Sequence, residues 1–135
     1  WKKEYEAGYT IVADRYTTSN AAHQMAKLPQ TEWDSYLDWL YDSEFARMGL
    51  PKPDIVIYLD LPPEVSRRLI EGRYRNDASR QDIHERNLAY LLECRRSALY
   101  AAEYLGWNVI DCCENGEALP VDRIAGKIWS LVQSG

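Results

Sequence analysis

The run Asp54-Ile55-Val56-Ile57-Tyr58-Leu59-Asp60 constrains this chain more than any other stretch. Its interior is apolar without alternation, so both faces of the strand it predicts must be covered. That is the signature of a parallel strand with helices laid across both sides of its sheet. Gly49-Leu50-Pro51-Lys52-Pro53 forms a stiff lead into the strand. Pro62-Pro63-Glu64-Val65 opens a helix directly after it, with proline in the first turn and an acid at the positive end of the helix dipole.

The rest of the chain supports the same architecture. Trp1 to Gly8 reads as the last turns of a helix closed by a C′ glycine. A chain that opens inside a helix, without methionine, reads as a fragment whose N-terminal part is missing. Tyr9 to Ala13 is expected to be a buried strand by its β-branched content. Thr18 or Ser19 starts a short helix to about Ala26. After the Leu28-Pro29-Gln30 break, Thr31 caps a long helix to about Met48, with Trp33, Tyr36, Leu37, Leu40, Tyr41 and Phe45 as a core or subunit-interface stripe. The helix opened by Pro62-Pro63 runs to about Glu71-Gly72, and Arg73 to Gln81 is a loop. A long helix from Asp82 to Leu105 ends at Gly106. Trp107 to Asp111 is a further strand, Asn115-Gly116 a turn, and Val121 to Val132 a final amphipathic helix. Alternating strands and helices mean an α/β fold with a parallel sheet. One domain accounts for all 135 residues.

The net charge of −5 and pI near 5.0 argue against nucleic acid or an anionic membrane as the main partner. No apolar stretch is long enough to span a bilayer, and no signal peptide opens the chain. Cys94, Cys112 and Cys113 have neither disulfide-framework nor zinc-ligand spacing, and read as thiols in a reducing cytoplasm.

Three groups of residues carry chemistry. Asp14 and Arg15 follow the first expected strand, where open parallel sheets bind their ligands. A carboxylate there can hold a hydrated magnesium ion and a guanidinium can fork onto phosphate oxygens. The alternative is an Asp-Arg ion pair, with Thr18 or Ser19 capping the next helix. Ser19, Asn20 and His23 follow, and Asn20 has donors and an acceptor suited to the edge of a nucleobase. His23 falls on the same helix side as these two, as a ligand contact or as a histidine satisfied by backbone. The second group is Arg67, Arg68, Arg73, Arg75 and Arg80. It is either a cover for polyphosphate or a solvated face paired with Glu64, Glu71 and Asp77. In the third group, Asp82 and Glu85 form a capping-box-like pair around Ile83 and His84, and Glu85 can also help hold a metal-phosphate ligand. No glycine-rich phosphate loop occurs anywhere in the 135 residues.

Asp14-Arg15-Tyr16-x-x-Ser19-Asn20-Ala21-Ala22 resembles the DRY-x-x-SN-A segment of thymidylate kinases. Pro51-Lys52-Pro53-Asp54 through Asp60-Leu61-Pro62-Pro63-Glu64 is similar to their P-x-P-D-strand-D-x-P-P-E segment. An arginine-rich lid follows, about 72–82, and Asp82-Ile83-His84-Glu85 is similar to their D-x-[Y/H]-E element. The resemblance covers essentially the whole chain, in order. It implies a three-layer P-loop nucleoside monophosphate kinase fold, here without its N-terminal strand, helix and Walker A loop, and usually a homodimer. It implies magnesium-dependent transfer from ATP to dTMP, giving dTDP. By the same resemblance Asp14 would help position magnesium, with Asp82 and Glu85 near the metal. Arg15 would grip the dTMP phosphate, Ser19 and Asn20 would line the thymine pocket, and His84 would contact the nucleotide. His23 stands where the family usually has an aromatic beside the deoxyribose. Arg68 or a neighbour would lie against adenine, with Arg73, Arg75 and Arg80 as lid residues over the phosphates. Two other readings stay open at this point. One is a deoxynucleoside kinase or another nucleoside monophosphate kinase. The other is a non-catalytic nucleotide-binding or interaction domain without a phosphate loop.

Overall fold

The described α/β unit contains a pair of parallel strands, β1 (Ile57–Asp60) and β2 (Asn108–Asp111), joined in register from Ile57–Asn108 to Asp60–Asp111. Leu59 and Val109 are exposed, so the described residues do not cover the sheet on both faces as its apolar run predicts. The computed structural model describes the backbone of residues 1–73 and 81–134 and the side chains of residues 1–69 and 88–133. In chain order the helices are α1 (Lys2–Glu6), α2 (Ser19–Met25), α3 (Trp33–Tyr41), α4 (Pro63–Arg73), α5 (Gln81–Leu105) and α6 (Val121–Ser134). Between β2 and α6, β3 (Cys113–Glu114) and β4 (Glu117–Ala118) form a small hairpin. Its tip, Asn115-Gly116, has positive φ at both residues (52° and 78°). This is the backbone that a two-residue hairpin turn demands and that Asn-Gly supplies at least cost.

The connection β1–α4–α5–β2 is the parallel crossover expected of alternating strands and helices. α5 ends as its glycine predicts, with Gly106 at φ 70° and the Trp107 amide bonded back to the Ala102 carbonyl at 2.8 Å. α1 ends in the same way at Gly8, φ 82°.

Three further sequence expectations are corrected. Tyr9 to Ala13 is not a strand: the segment is irregular and exposed, with Val12 91% accessible. An extended segment becomes a strand only when neighbours take up its amides and carbonyls, and no described strand lies beside it. The strand expected at Asp54–Asp60 is paired only over Ile57–Asp60, because β2 supplies only four partners. The long helix from Thr31 is divided into a 3-10 turn (Gln30–Glu32), α3, and a π-helical turn (Asp42–Arg47). Thr31 lies within the 3-10 turn, and α3 begins at Trp33 without a side-chain cap.

The main core joins α2, α3 and α5. Ala21, Met25, Trp33, Leu37, Leu40 and Ala101 are buried together, flanked by Leu28, Tyr36, Tyr100, Leu105 and Trp107. The inward side of the aromatic stripe on α3 is therefore core, while Trp39 stays exposed. Trp33 donates its indole N–H to the Met25 and Leu28 carbonyls at 2.9 and 3.2 Å. The Met25 carbonyl also accepts the Leu28 amide at 2.9 Å, so the indole ties down the turn that follows α2. The fully buried Ser97 hydroxyl on α5 donates to the Ala22 carbonyl at 2.7 Å, fixing α2 against α5. Cys94 and Cys112 are buried free thiols and Cys113 is half-buried. Among the described residues, no helix is long and apolar enough to cross a membrane.

Candidate active site

The segment preceding α2 takes a sharp bend at Asp14 and Arg15, where Arg15 adopts φ 71°. A non-glycine residue pays for that conformation and keeps it only when its surroundings hold it there. Two contacts do so here. Tyr16, half-buried, donates its hydroxyl to the Pro51 carbonyl at 3.0 Å, tying the bend to the stiff lead into β1. Nη2 of Arg15 lies 3.0 Å from Nε2 of His23, two turns further along.

The ion-pair alternative for Asp14-Arg15 is not what forms. Among the described residues, Arg15 makes no ion pair with a carboxylate, and its only hydrogen bond is with Nε2 of His23. Thr18 precedes α2 without making a side-chain capping bond; the helix starts instead from tight backbone turns, such as Ser19 N–H to the Tyr16 carbonyl at 3.0 Å. Asp14 is exposed and makes no hydrogen bond with a described residue.

His23 is held from behind by α5. Its Nδ1 lies 3.7 Å from the Cys94 sulfur, and its backbone carbonyl accepts from the Tyr90 hydroxyl at 3.4 Å. The hydrogen bond to Cys94, with the phenol's burial adding to it, pushes the Tyr90 hydroxyl above its ordinary titration range. The next α5 residue, Arg95, grips Asp60 at the carboxyl end of β1 with two bonds of 2.6 and 2.7 Å. Consecutive residues of one helix thus connect the Arg15–His23 pair to the sheet end where ligands of parallel folds bind. Sequence reading missed Tyr90 and Arg95, and took Cys94 only as a free thiol without its contact to His23. Their one local signal is the four-residue spacing of Tyr90 and Cys94, which puts both on one face of α5.

Asn20 is exposed and its amide reaches Glu44 of the π-helical turn at 3.5 Å, so its hydrogen-bonding edge faces that turn. Ser19 is half-buried in the first turn of α2. Arg68 donates to the Gly116 carbonyl at the tip of the β3–β4 hairpin, well away in sequence from the bend. The backbone of Arg73 ends α4, but its side chain, like those of Asp82, His84 and Glu85, lies outside the described residues, as do Arg75 and Arg80 altogether.

Magnesium commonly takes one or two protein carboxylates and completes its shell with water and phosphate oxygens. Asp14, exposed and unengaged by described residues, fits that habit. Among the described residues no three His, Cys, Asp or Glu side chains gather, so they form no all-protein metal cage.

A sequence model of the family described as Thymidylate kinase matches residues 1–120. The thymidylate kinase of Mycobacterium tuberculosis (strain CDC 1551 / Oshkosh) is 38% identical over 96 residues, covering 70% of this chain and 44% of the relative. That of Danio rerio is 30% identical over 134 residues, 98% of this chain and 57% of the relative. That of Homo sapiens is 31% identical over 124 residues, 90% of this chain and 50% of the relative. The chain therefore spans about half the length of the curated relatives it matches. No solved structure is significantly similar to it. The helix-rich unit with its small parallel sheet is compatible with the nucleoside monophosphate kinase fold that the match implies, as a part of it. On the extent of the family match and the agreement with these relatives, the chain belongs to the thymidylate kinase family.

Proposed function

We propose that this chain is the acceptor side of a kinase that moves the γ-phosphoryl group of ATP to dTMP, giving dTDP and ADP. The observation that carries the reading is Arg15: a guanidinium held in a fixed direction with no carboxylate partner among the described residues. Such a group is an anion receptor, and its planar fork matches a phosphate better than a lysine would. Arg15 binds the dTMP phosphate, spreading its negative charge and orienting its attacking oxygen. Asn20 exchanges its long bond to Glu44 for the edge of thymine, with Ser19 beside it. Bound magnesium would neutralise the phosphates of ATP, and Asp14, an exposed carboxylate, would help hold it.

Arg68 bonds Gly116 through its edge, which leaves the face of the guanidinium for an adenine ring. Arg73, Arg75 and Arg80 complete the clamp over the transferring phosphoryl group, and Asp82, His84 and Glu85 close the nucleotide and metal side. The working protein is a homodimer with the full three-layer fold, and the free thiols suit a reducing cytoplasm. Phosphoryl transfer of this kind depends on positioning and electrostatics around both phosphate groups. The 135 residues contain no donor-phosphate loop, so alone they turn over little or no ATP.

The test is a substrate panel on the full-length protein: dTMP, dUMP, dGMP, dCMP and the free nucleosides, each with ATP and magnesium. Preferential phosphorylation of dTMP is expected. Preference for a free nucleoside would establish a deoxynucleoside kinase instead, and nucleotide binding without turnover would establish a binding domain.

A further inference from the structure

His23 has both ring nitrogens engaged, and its neighbours determine how. A guanidinium can only donate, so Nε2, 3.0 Å from Arg15, must accept. The ring proton therefore sits on Nδ1, directed at the Cys94 sulfur 3.7 Å away. We infer that His23 is a positioning residue for Arg15, aiming the guanidinium at the acceptor phosphate without cancelling its charge. This rests on Arg15 being the phosphate ligand of the proposed reaction.

The physical advantage lies in the kind of partner. A carboxylate would also aim Arg15, but it would compete with the incoming phosphate for the same charge. A neutral imidazole supplies direction alone. It also helps to hold Arg15 at a backbone φ of 71°, which an unsupported arginine would leave. Among the described residues, the titratable or charged groups facing the ring are few. Arg15 approaches from the bend, and Cys94 and Tyr90 from α5. α3 meets α2 through Trp33, Leu37 and Leu40, which are apolar, and Glu44 bonds Asn20 rather than the ring.

The experiment measures kcat and KM for dTMP and for ATP in the full-length enzyme at neutral pH. His23→Leu raises the dTMP KM by about tenfold with the ATP KM unchanged. His23→Gln, whose side-chain oxygen can replace Nε2 as acceptor, recovers most of that loss. A His23→Leu enzyme with the wild-type dTMP KM overturns the inference. An Arg15→Ala enzyme with an unchanged dTMP KM instead overturns the reading of Arg15 on which it rests. Nitrogen-15 NMR of the unliganded wild-type protein tests the geometry even if the leucine variant does not fold. The Nδ1–H tautomer is expected, and Nε2–H overturns the inference.

Discussion

The Asp60 carboxylate and the Arg95 guanidinium are joined by two parallel bonds of 2.6 and 2.7 Å, the carboxylate at the end of β1 and the guanidinium on α5. Asp60 is nearly buried, its side chain 12% accessible, and Arg95 is 33% accessible. The hydrogen bond to Asp60 is the largest influence raising the Arg95 pKa above its ordinary value. The pair is the polar fastening between the sheet and the helix that stands behind the candidate site.

Removing one partner leaves the other largely desolvated and uncompensated, which costs more than the pair's net contribution. Asp60→Ala in the full-length protein is expected to lower the free energy of unfolding by about 3 kcal/mol. Asp60→Ala with Arg95→Ala together should cost clearly less than the sum of the two single changes. Urea unfolding of the four proteins in the cycle measures this. Additive losses would mean that the two bonds contribute no coupling.

Tyr16 ties the bend at Arg15 to the Pro51 carbonyl, 35 residues away in sequence. Tyr16→Phe keeps the ring and removes only the donor, so the expected loss is about 1 kcal/mol of stability. Because the Arg15 backbone persists only while its surroundings hold it, the dTMP KM should rise several-fold in the same variant. Denaturant midpoints and steady-state kinetics separate the two effects. A stability loss with an unchanged KM would show that the latch serves folding alone.

Alkaline pH should destabilise the fold through Cys112 and Tyr58. Burial is the leading cause that raises both groups above their ordinary values. Each is therefore harder to deprotonate in the folded chain than in the unfolded one. The unfolded state gives up these protons first as pH rises, so their contribution is complete below the ordinary thiol value, near about 8.5, and is lost as pH climbs through the raised folded values. Thermal unfolding between neutral pH and about pH 10 should show a falling melting temperature, with a shallower fall in Cys112→Ala. An equal slope in that variant would remove Cys112 from the explanation.

Much of the architecture is local in origin and legible along the chain. α5 begins one residue earlier than its pattern predicts, at Gln81, and ends at Leu105 as predicted; α6 runs from Val121, as expected. Gly8, Gly106 and Asn115-Gly116 turn the chain where their backbone freedom predicts. The order of the motifs points to the same family as the similarity to known thymidylate kinases. Helical periodicity, terminating glycines and tight turns involve residues within a few positions of one another, so they can be read from neighbouring residues.

What sequence reading missed depends on residues far apart. Tyr9 to Ala13 has strand composition yet is irregular, because a strand exists only by pairing, and composition carries no information about a neighbour. The expected long helix after Thr31 has nearly the predicted extent but ends in a π-helical turn at Asp42–Arg47, which its apolar spacing does not announce. Most telling is Cys94, which reaches His23 across 71 residues of chain, while Arg95 reaches Asp60 across 35. The sequence alone determined that an aspartate and an arginine stand a few residues ahead of a short helix, and it expected them at the end of a strand. Only the tertiary structure decided that the arginine is held by a histidine rather than paired with an acid, because the packing of α2 on α5 fixes where His23 stands.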